Sequence, residues 1–125
     1  MGEQFGDSMD PTAFEVGKHQ VDQAVVLTVS GEVDMLSSPQ LAEAIETARA
    51  TRPAALIVDL SKVNFLASAG MTVLVTAQAE VEPPTRFAVV ANGSATSRPI
   101  KLMGIDTVLS LYSTLDGALS SISGE

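Results

Sequence analysis

Ser68 is the residue whose sequence neighbours come nearest to a catalytic motif. The segment 66–70, Leu-Ala-Ser-Ala-Gly, partly matches the Gly-x-Ser-x-Gly turn that exposes a nucleophilic serine between a strand and a helix. The first glycine of that turn is missing, and no histidine follows Ser68 in the chain to act as its base. At 125 residues, the chain is also short for a hydrolase core. We therefore expect that this protein is not an enzyme.

Metal and phosphate sites lack the residues that they require. His19 is the only histidine, it has no neighbouring ligands in the sequence, and the chain has no cysteine. The absence of cysteine excludes disulfides, thiolate catalysis and thiolate metal sites. Gly31, Gly70, Gly93 and Gly104 each stand alone instead of forming a phosphate-binding loop. We expect neither a metal ion nor a cofactor.

Two interpretations of Ser68 stay open from its local sequence. Ser68 lies at the start of a predicted helix between two alanines, so its hydroxyl would cap that helix and stabilise it by ~1 kcal/mol. Alternatively, Ser68 is a phosphorylation site, because the free N–H groups and the dipole of a helix start favour added negative charge. A phosphate would add about −1.5 to −2 charges and would expel a protein docked at that point.

The overall charge bears on the kind of partner. The chain carries 7 basic and 15 acidic residues, a formal net charge of −8. Such a charge repels phosphate backbones and anionic lipids, so we expect no direct nucleic-acid or membrane binding. Two interpretations of the negative charge stay open: it keeps the protein soluble, or it attracts a basic surface of a partner protein. There is no signal segment and no apolar run near the ~18 residues of a membrane span, which favours a cytoplasmic protein.

The hydrophobic pattern predicts the elements that position Ser68. Residues 54–60 form a continuous apolar run, typical of a central strand covered on both faces. Ser38 followed by Pro39 predicts the start of a helix, with Ser38 as its N-cap. The apolar positions after Pro39 repeat at the spacing of one buried helix face: Leu41, Ala44, Ile45 and Ala48.

Residues 71–80 contain several β-branched side chains, so their local preference is ambiguous. We predict a helix there, because parallel strands at 54–60 and 86–91 need a crossover of ~12 or more residues between them. Further strands are predicted at 13–19, 24–30 (ended by Gly31) and 108–112, a loop at 61–66, and helices at 97–103 and around 115–122. The sequence thus predicts a flexible tail at 1–11 and one α/β domain at 12–123, with a mixed β-sheet of about four to five strands and about four helices.

Three short motifs carry a resemblance to a known family. Gly-Glu-Val-Asp at 31–34, Asp-Leu-Ser-Lys-Val-Asn-Phe-Leu at 59–66 and Ala-Ser-Ala-Gly-Met at 67–71 resemble the STAS domain of bacterial anti-sigma factor antagonists. The motifs occur in the family's order and spacing, and the similarity runs from about residue 14 to 122. The segment 97–105, Ser-Arg-Pro-Ile-Lys-Leu-Met-Gly-Ile, resembles the actinobacterial branch of that family.

The resemblance implies a partner-switching mechanism. In that family, the unphosphorylated antagonist binds an anti-sigma factor that is also a serine kinase, and so frees a sigma factor to direct transcription. The kinase phosphorylates one antagonist serine, which matches Ser68, and a serine phosphatase resets the cycle. Asp34 matches the acidic residue of the family's Gly-Glu-x-Asp turn near that serine. Ala67 and Ala69 depart from the family's Asp-Ser-Ser/Thr-Gly pattern, which bears on phosphorylation more than on partner binding.

The contact surface implied for the anti-sigma factor consists of Asp34, Ser37, Ser38, Asn64, Phe65, Ser68 and Met71. Core packing stays an alternative for Phe65 and Met71, and a loop or cap role for Asn64 and Ser38. The alternative function is that of a STAS subunit in a larger lipid-transport or stress-sensing complex, without a phosphate cycle. We expect a monomer or a weak dimer.

Overall fold

Five strands and four helices follow one another in the order that the sequence predicts. The computed structural model describes residues 13–123; the predicted flexible tail at 1–11 lies outside the described residues. The strands are β1 (Glu15–Val21), β2 (Ala24–Val33), β3 (Ala55–Leu66), β4 (Arg86–Val90) and β5 (Leu111–Tyr112). The helices are α1 (Ser38–Ala50), α2 (Ser68–Glu80), α3 (Ser97–Leu102) and α4 (Leu115–Ser123), and a 3-10 turn lies at Ile105–Thr107.

The strands form one mixed sheet in the order β1-β2-β3-β4-β5. β1 is an antiparallel edge strand, and the other neighbouring pairs are parallel. β3 lies at the centre, and its first six residues are all buried, as the apolar run at 54–60 predicts. Because parallel strands end at the same edge of a sheet, the carboxyl ends of β2 and β3 lie side by side, and Val33 pairs with Leu66.

The predicted carboxyl-terminal ends of β2 and β3 are wrong. The predicted start of the last strand at residue 108 is also wrong, because Val108 ends the 3-10 turn and β5 begins only at Leu111. β2 continues through Gly31 to Val33, and β3 continues through the predicted loop at 61–66. Gly31 has a φ of 89°, and the pairing register shifts between Gly31 and Glu32, so this glycine marks an irregularity within the pairing and does not end it. The longer strands carry Asp34 and Ser68 out to the same edge of the sheet.

The start of α1 also differs from the prediction. Ser37, not Ser38, is the N-cap residue, and neither makes a side-chain capping bond to the helix. The Ser38 hydroxyl instead donates to the carbonyl oxygen of Asp34 at 2.6 Å. Pro39 lies in the first turn of α1, as predicted. On the predicted inner face of α1, Leu41, Ile45 and Ala48 are buried, and Ala44 is half-buried.

The sheet is covered on both faces by two apolar clusters. The larger one packs α1, α2 and α3 against the sheet, and Leu41, Leu56 and Leu74 are fully buried in it. The smaller one lies under α4, where Ala118 packs with Ile57 of the central strand.

Gly70 allows α2 to approach the sheet closely. A Cβ atom at Gly70 would lie 2.6 Å from Cγ1 of Val33 and 2.8 Å from Cδ1 of Leu66. Both distances are shorter than real carbon contacts, and Val33 is fully buried, so it has no room to move aside. The absence of a side chain at position 70 therefore fixes the first turn of α2 against the ends of β2 and β3.

We expect Gly70→Ala to lower the free energy of unfolding by about 1–3 kcal/mol, because the added methyl group overpacks this contact. Urea denaturation monitored by circular dichroism measures the change. Gly17→Ala is the matched control, since a Cβ there would be 3.5 Å from His19, which is an ordinary contact. Equal stability of the two variants would contradict the close approach at Gly70.

Candidate functional site around Ser68

Ser68 is the first residue of α2 and its side chain is exposed. The preceding residue, Ala67, is the N-cap, in an extended conformation, and no side-chain capping bond forms there. The N–H of Ala67 donates to the carbonyl oxygen of Val33 at 2.9 Å, which ties the start of α2 to the end of β2. The interpretation of Ser68 as a helix cap is therefore wrong, and its hydroxyl lies on the outer surface of the first turn.

Asp34 organises the turn that follows β2. Its Oδ1 atom accepts the N–H groups of Leu36 and Ser37, each at 3.0 Å. The Ser37 hydroxyl lies 2.9 Å from the carbonyl oxygen of Glu32 and 3.1 Å from Asp34 Oδ1, and it accepts the N–H of Asp34 at 2.9 Å. The N–H of Ser37, followed by its hydroxyl and the N–H of Leu36, lowers the pKa of Asp34 from its ordinary value. The turn therefore holds an ionised carboxylate beside the start of α2.

The seven predicted contact residues divide by burial. Ser68, Asn64 and Phe65 are exposed, and Asp34 is half-buried. The remaining three are buried, and they are Ser37, Ser38 and Met71. Their burial means that they support the surface from below and offer a partner little area.

Core packing was an alternative for both Phe65 and Met71, and the structure bears it out for only one of them. Phe65 is 49% exposed, which shows that the core interpretation of this residue is wrong. Met71 is buried in the larger cluster, which confirms core packing for it. Ser38 does not cap α1, as described above, and holds the Asp34 turn instead.

Several large apolar side chains near this edge are exposed, and most of them were not predicted from the sequence. Met35 is 76% exposed and Leu36 85%, both in the turn that Asp34 organises. Leu102 and Met103, at the end of α3, are 73% and 63% exposed. Large apolar side chains held in water by an ordered turn are typical of a protein-binding surface. Two neighbouring apolar residues next to turn residues, as in 35–36 and 102–103, are the sequence signal that would have found them.

Other kinds of site find no support within residues 13–123. In that range, no three His, Asp or Glu side chains come together in a group that could hold a metal ion. No helix in the same range is long and apolar enough to cross a membrane. The ordered polar turn, the exposed serine and the apolar surface therefore define the candidate site.

The fold and this edge define a STAS domain. A family model described as "Mlab, STAS domain" matches residues 16–112. The chain is 43% identical over 99 residues to the anti-sigma-F factor antagonist RsfB of Mycobacterium tuberculosis, covering 79% of this chain and 81% of that protein. The chain belongs to the STAS-domain family of anti-sigma factor antagonists.

Solved structures agree with this assignment. The crystal structure of an anti-sigma factor antagonist from Mycobacterium paratuberculosis matches with a TM-score of 0.86 and 42% identity, over 90% of this chain and 97% of that one. The phosphorylated form of the Bacillus protein SpoIIAA shares the fold with a TM-score of 0.63 and 19% identity, over 88% and 99% of the two chains. The prediction of a mixed α/β sheet of the STAS type is thereby confirmed.

The Asp34 turn predicts a pH-dependent stability. Because the carboxyl pKa is lower in the folded chain than in the unfolded one, the carboxylate stabilises the fold above its ordinary pKa of 3.8, and this contribution is lost as the pH falls through the folded-state pKa. We expect the stability deficit of Asp34→Ala to be largest near neutral pH and to shrink towards about pH 3. Urea denaturation at about pH 7, 5 and 3 measures it.

Asp34→Asn is the control for this experiment, since it keeps an acceptor oxygen but carries no charge. It is expected to lose less stability than Asp34→Ala near neutral pH. A deficit of Asp34→Ala that stays constant across the three pH values would contradict the role given to the carboxylate.

Proposed function

We propose that this protein binds an anti-sigma factor through the edge of the sheet around Ser68 and so releases a sigma factor to direct transcription. The observation that carries the proposal is the exposed Ser68 at the start of α2, next to the ordered Asp34 turn and among exposed apolar side chains. The name of the mycobacterial relative, an anti-sigma-F factor antagonist, supports the choice of partner. A few well-packed residues near the centre of an interface supply most of its binding energy, and the exposed side chains of Met35, Leu36 and Phe65 are available for such packing.

The proposal includes phosphorylation of Ser68 by that anti-sigma factor acting as a serine kinase. The γ-phosphoryl group of ATP passes to Ser68 Oγ, ADP leaves, and the hydroxyl proton is released. The solved phosphorylated form of SpoIIAA supports such a step by analogy of fold. The exposed first position of α2 accommodates the added charge, because the N–H groups of a helix start are unpaired and favour an anion.

Phosphorylation would end binding for a physical reason. A phosphate adds about −1.5 to −2 charges, and burying that charge against apolar side chains costs several kcal/mol unless it is paired. The fold itself would tolerate the phosphate, since the Ser68 side chain is exposed at the start of α2. A serine phosphatase would then restore the binding form.

A second candidate function is a constitutive STAS subunit of a larger complex. Ala67 and Ala69 favour it, because no side-chain carboxylate or second hydroxyl flanks Ser68 to assist a kinase. This candidate predicts partner binding that does not respond to charge at position 68.

Ser68→Asp is expected to weaken binding of purified mycobacterial anti-sigma-F factor by about tenfold or more, and Ser68→Ala by less than about twofold, in isothermal titration calorimetry. The reason is that only the aspartate puts a charge into the contact. Ser120→Asp is the matched control, because it adds the same charge to an exposed position on α4. Binding of that variant should equal that of the wild type.

Incubation of the wild type with the anti-sigma-F factor and ATP, followed by mass spectrometry, tests the kinase step. The phosphate should be found on Ser68 and should be absent from Ser68→Ala. Binding without any phosphorylation, and with equal affinity for both Ser68 variants, would favour the constitutive subunit. Absence of binding by the wild type would overturn the proposed function.

A further inference from the structure

A groove of about 220 Å³ runs along α2 from Ser68. One wall is formed by α2, and the other by Met103, which directly follows α3, and by Ile105, the first residue of the 3-10 turn. Pockets for small-molecule ligands usually enclose roughly 300–1,000 Å³. The groove is smaller than that range, and its size suits a single large side chain.

The chemistry of the groove is apolar with a row of hydroxyls. Ser68, Thr72 and Thr76 lie one helical turn apart along α2, and Val75 lies between the last two. The hydroxyl of Thr72 donates to the carbonyl oxygen of Ser68 at 3.0 Å, so this polar group is satisfied within the helix. No charged side chain lines the groove. Such a lining favours an apolar occupant over an ionic one.

We propose that this groove receives one apolar side chain of the anti-sigma factor and that Ser68 controls access to it. The inference rests on the proposed function and adds the point at which the partner is anchored. Two features support this occupant: the groove is continuous with the exposed side chain of Met103, and Ser68 lines its end at the first residue of α2. Methionine side chains adapt to the shape of what they contact, which suits a wall that closes on a partner residue.

The arrangement explains how a phosphate on Ser68 would act. The phosphate would occupy the end of an uncharged groove, so an apolar side chain could enter only by removing water from a dianion that has no cationic partner there. The partner would therefore lose its anchor in the groove. Repulsion between distant charges is not needed to explain the loss of binding. The phosphorylation state of Ser68 would thus determine whether the groove can bind a partner side chain.

Filling the groove tests this inference without adding charge. Thr76→Phe adds a ring at a position that lines the groove, and we expect it to weaken binding of mycobacterial anti-sigma-F factor about tenfold or more. Ala79→Phe is the matched control, because position 79 is exposed on the same helix and does not line the groove. It should bind within about twofold of the wild type. Circular dichroism and urea denaturation establish that both variants are folded.

Met103→Ala is a second variant, chosen because Met103 is 63% exposed and lies outside both core clusters, so its truncation leaves the fold intact. Removing this wall should weaken binding about tenfold as well. If the wild type binds and either Thr76→Phe or Met103→Ala binds equally well, the groove is not the anchor, and the proposed function is unaffected. No binding by the wild type would overturn the proposed function itself.

Discussion

The contact of Gly70 with Val33 and Leu66 determines where the candidate site lies. A glycine at this position lets the first turn of α2 sit against the ends of two parallel strands, where any side chain would collide. The hydrogen bond from Ala67 to Val33 fixes the same turn from the backbone. Together these contacts place Ser68 outward, two residues after the end of the central strand β3. The exposure of the serine is thus a consequence of packing at a neighbouring position.

The same edge of the sheet combines rigid polar support with an apolar surface. Ser37 and Ser38 are buried, and their hydroxyls contact the Glu32 and Asp34 carbonyl oxygens, so the turn after β2 is held from inside. That support holds in place the turn that carries the exposed side chains of Met35 and Leu36. An ordered turn loses little conformational entropy when a partner covers it, which favours binding at this edge.

Much of the fold could be predicted from the sequence because its signals are local. The apolar run at 54–60 and the helical spacing of Leu41, Ile45 and Ala48 require burial wherever they occur, and the structure buries them. The end of β2 could not be predicted, because a glycine commonly ends a strand. Here Gly31 lies within the strand, at a shift in the pairing register between β2 and β3 that the sequence does not show. The candidate site was predicted in part. Ser68, Asp34 and Phe65 were named as contact residues from the sequence, with core packing as the alternative for Phe65. The exposure of Met35, Leu36 and Met103 depends on packing between distant elements and was not predicted.

Hydrogen–deuterium exchange of the full chain, free and bound to purified mycobacterial anti-sigma-F factor, tests the central claim that this edge is the docking surface. Slower exchange on binding is expected at three places near the edge: the turn 34–37, the first half of α2 and residues 103–105. Exchange in β1 and α4 should not change. Protection of β1 or α4, with none around Ser68, would contradict the account.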